Sequence, residues 1–131
     1  MKKNEAYYKN KTTKYIRSHA TQYKFVMFRH EDRTTHGIPD LSITKNRRTV
    51  WIEFKYADPT FSNRGIQELT MLRLASIGLA FYVVFYFNPK TKVERTYIVD
   101  PKDIGSDLSL WVDFVEGFEY AFILERILDF T

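Results

Sequence analysis

The sequence predicts a single mixed α/β (α+β) domain, and three observations carry that prediction. The chain has 131 residues, the size of one ordinary domain. Apolar residues recur at helical spacing in some segments and alternate, or run continuously, in others. Read in order, the segments give α-β-β-β-α-β-β-α, with no internal repeat, low-complexity tract or linker between them.

Each element has its own warrant. Asn4 to His19 reads as a basic helix, because Tyr8, Thr12, Tyr15 and Ile16 form a helical stripe while Lys2, Lys3, Lys9, Lys11, Lys14 and Arg17 lie mostly elsewhere. Tyr23 to His30 alternates and is rich in strand formers, and Glu31 to Gly37 is a polar loop. Ile38 to Thr44 and Thr49 to Tyr56 form a hairpin around Lys45-Asn46-Arg47-Arg48, where Asn46 tolerates a turn conformation. Ala57 to Gly65 is a loop, and Ile66 to Ile77 a helix closed by Gly78. Leu79 to Phe87 is apolar throughout, as a buried strand requires. Lys92 to Val99 follows a turn at Asn88-Pro89-Lys90-Thr91 as one extra strand, Asp100 to Asp107 is irregular, and Glu116 to Asp129 is a final helix.

Composition narrows the function classes. The absence of cysteine excludes disulfides and thiolate metal sites. The Lys-rich start has no apolar stretch behind it, and the most apolar run is too short to span a bilayer. The expected setting is therefore intracellular and cytoplasmic (the host cytoplasm for a viral protein), without a membrane. Residues 1–99 carry 18 Lys+Arg against 8 Asp+Glu, a net of +10, and residues 100–131 carry 2 against 8, a net of −6. A basic body with an acidic end suits a polyanionic partner on one face, although solvated surfaces are often lopsided too. The acidic end also holds Trp111, Phe114, Phe118, Tyr120 and Phe122, a candidate interface for a homodimer.

The hairpin carries the chemistry. With Asn46 and Arg47 at its tip, opposed residues have numbers summing to 93, which sets Asp40 across from Glu53. Side chains alternate along a strand, so Trp51, Glu53 and Lys55 share one face, and Val50, Ile52, Phe54 and Tyr56 the other. Two facing carboxylates repel, and something positive must compensate. Lys55 supplies one charge. Paired carboxylates also make a site for Mg²⁺ or Mn²⁺, which stabilises charge on a phosphoryl oxygen and acidifies water. Taken alone, the same three residues fit a cross-strand salt-bridge network more readily than a metal site. On the next helix Gln67 shares a stripe with Met71 and Leu74, which aims its amide at the carboxylates if that face packs on the sheet.

Pro39-Asp40 followed by Glu53-Phe54-Lys55 resembles the PD-(D/E)XK nuclease signature. The order of elements over roughly residues 5–87 resembles the α-β-β-β-α-β core of that restriction-endonuclease-like superfamily. Gly37-Ile38-Pro39-Asp40-Leu41, Ile52-Glu53-Phe54-Lys55 and the stretch from Gln67 to Gly78 look most like the virus-type replication-repair nuclease (VRR-NUC) domain. Its stand-alone members are similar to Holliday-junction resolvases.

The resemblance implies a metal-dependent DNA endonuclease acting in repair on branched, flap or four-way junction DNA. It implies that Asp40, Glu53 and the backbone carbonyl of Phe54 bind the metal, that Lys55 positions or activates water, and that Gln67 supports the site. Related families often add an acid from the first helix, where Glu5 is the only acid. Pairing of Glu5 with Lys9 is the plainer reading.

Lys14, Arg29, Arg33, His36 and Arg64 are candidates for a phosphate track by charge and position, although charged loops usually need no such role. His30 is a weaker candidate of the same kind. Lys45, Arg47 and Arg48, at the hairpin tip, lie about 17 Å from the acids and reach only flanking backbone. The competing function is a non-catalytic nucleic-acid-binding module on the same scaffold.

Overall fold

The computed structural model describes residues 5–30, 38–60 and 69–131. Helix α1 (Glu5–Ser18) and the short α2 (Ala20–Tyr23) lead into β1 (Val26–Arg29), β2 (Leu41–Lys45) and β3 (Arg48–Ala57). Then come α3 (Leu69–Ser76), β4 (Ala80–Asn88), β5 (Val93–Val99), a 3-10 turn (Leu108–Leu110), β6 (Phe114–Glu116) and α4 (Tyr120–Phe130). The six strands form one sheet in sequence order. Only β3 and β4 run parallel, joined through α3, and every other neighbour is antiparallel. The expected α/β class is therefore observed, and the expected order holds with two elements added, α2 and β6.

Two packed layers follow from strand alternation. Val50, Ile52 and Phe54 of β3 join Phe81, Val83 and Phe85 of β4 under Tyr8 and Ile16 of α1 and Ile123, Leu124 and Ile127 of α4. On the opposite face Tyr82, Val84, Tyr97 and Val99 pack with Met71 of α3 and Trp111. Gly78, with φ of 77°, ends α3 as expected, its N–H donating to Ala75 O at 2.8 Å.

The hairpin turn holds Asn46 (φ 52°) and Arg47 (φ 65°), both left-handed, as a two-residue turn matched to strand twist demands. It fixes the register: Leu41 faces Ile52, Ser42 faces Trp51 and Ile43 faces Val50. These are the partners whose numbers sum to 93.

Several expected boundaries shift. Tyr23 ends α2 instead of opening a strand, and Lys24 turns the chain with φ of 58° before β1 begins at Val26. The second strand starts at Leu41, not Ile38. Glu116 closes a sixth strand that was expected to be the start of the last helix, and Gly117 (φ 86°) separates the two. Two strands thus follow β4, where one extra strand was expected. Short edge strands carry too few residues for alternation to be read, which is why β6 escaped notice.

Residues 100–131, expected as an extension beyond a core of about 5–99, supply β6 and α4, and α4 closes the core over β3 and β4. Arg126 fixes that helix with a two-pronged ion pair to Asp113, at 2.9 and 3.0 Å. Of the aromatics in residues 100–131, Trp111 is buried, Phe118, Tyr120 and Phe122 pack on the α1–α4 core, and Phe114 is exposed. Among the described residues no helix is long and apolar enough to cross a membrane.

Candidate metal and nucleic-acid site

Asp40 sits one residue before β2, and the hairpin register carried one step further places it across from Glu53. The ladder explains how close they come. Trp51 N–H points to the β4 side, donating to Leu79 O at 2.8 Å, so Ile52 and Phe54 turn their N–H and C=O groups toward β2. Asp40 and Glu53 therefore occupy a non-hydrogen-bonded position, where Cα atoms of facing residues lie only about 4.5 Å apart. The Asp40 backbone turns outward instead, its carbonyl accepting from His30 N–H at 2.8 Å.

Pro39 is the residue that would face Phe54 in the same register, and it has no N–H to give. The Phe54 N–H donates to Asp40 Oδ2 at 2.9 Å. By strand alternation the Phe54 carbonyl points to the same side, where Pro39 has no N–H to offer it. The β2–β3 ladder ends at Leu41 and Ile52, which leaves a notch beside β3 with the Asp40 carboxylate bonded to the Phe54 N–H.

Charge in the notch is balanced within the chain. Two carboxylates facing each other across a ladder repel. Burial pushes the Asp40 carboxyl up, but a hydrogen bond with the Glu53 side chain, the Phe54 N–H and the Lys9 ammonium together hold it below its usual range. Lys9 Nζ lies 3.0 Å from Asp40 Oδ1, and both side chains are mostly buried, at 20% and 15% exposure. Lys55 is half-buried two residues beyond Glu53 on the same face of β3.

Lys9 is the residue that sequence reasoning missed. It adjoins the buried Tyr8 and precedes the buried Thr13 by one turn, so it stands on the border of the α1 stripe. Glu5, the helix acid considered as a metal ligand, is exposed one turn earlier. Among the described residues no three His, Asp or Glu side chains gather closely enough to hold an ion, so Glu5 does not join Asp40 and Glu53. The helix presents a cation to Asp40 where an acid was considered.

His30, the weaker candidate for the phosphate track, is instead held within the sheet. Its Nε2 lies 2.8 Å from Ser42 Oγ, and its ring stacks on Trp51 with centroids 5.3 Å apart. Beyond Lys9, Asn10, Lys11, Thr13, Lys14, Arg17 and Arg29 line an open basic groove of about 310 Å³. Arg29 donates to Asn10 Oδ1 at 2.6 Å, tying β1 to α1. Lys14 and Arg29 thus line the same groove. Gln67, Arg33, His36 and Arg64 lie outside the described residues.

Two carboxylates and a carbonyl, all hard oxygens, fit a Mg²⁺ or Mn²⁺ ion that completes its shell with water and substrate oxygens. No protein-family model, curated protein or solved structure matches the chain.

Proposed function

We propose that this protein is a divalent-metal-dependent nuclease of the PD-(D/E)XK type, hydrolysing phosphodiester bonds in DNA, with branched, flap or junction structures as substrates. The observation that carries the reading is the Asp40 carboxylate, bonded to the Phe54 N–H and placed by the hairpin register across from Glu53, with Lys55 on the same face of β3 as Glu53. A salt-bridge network alone leaves unexplained why a proline removes the donor from Phe54 at that position. Asp40, Glu53 and the Phe54 carbonyl would hold the ion. A divalent cation bound there supplies Lewis acidity to a phosphoryl oxygen and to water. Lys55, on the same face, orients the attacking water and offsets charge on the scissile phosphate. The groove around Lys14 and Arg29 receives the flanking backbone.

That groove also supports the second reading, a non-catalytic nucleic-acid-binding module. One panel separates the two: supercoiled plasmid, nicked flap and synthetic four-way junction, each with Mg²⁺, Mn²⁺ or chelator. Metal-dependent cleavage of any of these is the expected result. Salt-sensitive binding without cleavage of any of them overturns the nuclease reading in favour of the module.

A further inference from the structure

The ion pair between Lys9 and Asp40 has no place in the hydrolytic scheme as it stands. The ammonium lies 3.0 Å from an oxygen assigned to the metal, so Lys9 and a divalent cation compete for the same carboxylate. We propose that Lys9 is a displaceable resident cation of the site: it holds the Asp40–Glu53 pair together in the metal-free protein, yields to the incoming ion, and thereby sets the metal affinity.

Three observations carry this. The pair is mostly buried, so its attraction is little screened. Lys9 projects from a helix fixed by its neighbours, since Tyr8 stacks on Tyr56 and meets Phe118 edge-on, and Thr13 Oγ1 donates to the Lys9 carbonyl at 2.7 Å. Its flexible four-carbon stem can nevertheless swing the ammonium away without moving α1. The adjoining groove, lined by Asn10, Thr13 and Lys14, lies on the same helix and would receive a substrate phosphate. A displaced Lys9 would find its new counter-ion there.

The inference rests on reading Asp40 and Glu53 as a metal site, and the test keeps the two apart. Mn²⁺ affinity is measured by calorimetry for the wild type, Lys9→Met, Lys9→Gln and a remote control, Lys90→Met. In parallel, acylation of the Lys9 amine in the wild type is followed by mass spectrometry with and without Mg²⁺.

The expected result is Mn²⁺ binding tightened about tenfold in either Lys9 variant but not in the control, and faster labelling of Lys9 when Mg²⁺ is present. Wild-type binding with no tightening in a folded Lys9 variant, or labelling indifferent to Mg²⁺, overturns the role of Lys9 and leaves the metal site standing. Absence of Mn²⁺ binding in all folded proteins overturns both.

Discussion

Asp40 accepts the backbone N–H of Phe54 at 2.9 Å, taking a hydrogen bond that an uninterrupted ladder would have given to the residue before it. That residue is Pro39, and its missing N–H is what leaves the Phe54 carbonyl open. Pro39→Ala restores a donor at this position and lets β2 pair one residue further. Stability should change by no more than about 1 kcal/mol, because the gained ladder bond offsets the lost restriction of the unfolded chain. Metal affinity should fall, since the carbonyl is now engaged. Calorimetric titration with Mn²⁺ checks this, and unchanged or tighter binding would remove the carbonyl from the ligand set.

The acidic C-terminal segment belongs to the core. Ile127 of α4 is fully buried among residues of α1, β3 and β4. Ile127→Ala should therefore cost about 2–5 kcal/mol of unfolding free energy, the ordinary cost of a large-to-small change in a packed core. Chemical denaturation measures it. A loss below about 0.5 kcal/mol would mean that α4 is a detachable appendage.

Alkaline pH should weaken the fold through Tyr8. Burial, then the nearby Tyr56 and Glu94, push its pKa up to about 12. The unfolded chain releases this proton near pH 10, and the folded protein holds it until about pH 12. Between those values the unfolded state binds fewer protons, so stability falls as pH rises. Tyr8→Phe should flatten that fall, which denaturation midpoints at pH 9 to pH 12 would reveal. An unchanged slope would assign the alkaline loss to other groups.

The sequence carried the centre of this molecule well, and its edges poorly. The hairpin register was legible because a two-residue turn and a one-sided apolar pattern leave strands little freedom to slip. Once it was fixed, Asp40 had to face Glu53. Lys9 was not legible, because its role depends on how α1 lies across the sheet edge, and helical spacing says only that it borders the buried stripe. His30 was obscured similarly: its partners, Ser42 and Trp51, come from other strands. The sixth strand was hidden by its three-residue length, and α4 was placed too early because Glu116 and Gly117 do not interrupt an apolar pattern strongly.

The most direct measurement is the rate of metal-dependent cleavage by the wild type and by Asp40→Asn on the same flap and junction substrates. The substitution preserves side-chain volume and an oxygen for the Phe54 N–H, so the circular dichroism spectrum should match the wild type. It removes the charge that Asp40 contributes to the ion. Cleavage should fall by about 100-fold or more, equivalent to about 2.7 kcal/mol of barrier, while DNA binding in chelator is largely retained. A folded Asp40→Asn protein that cuts at the wild-type rate would contradict the account.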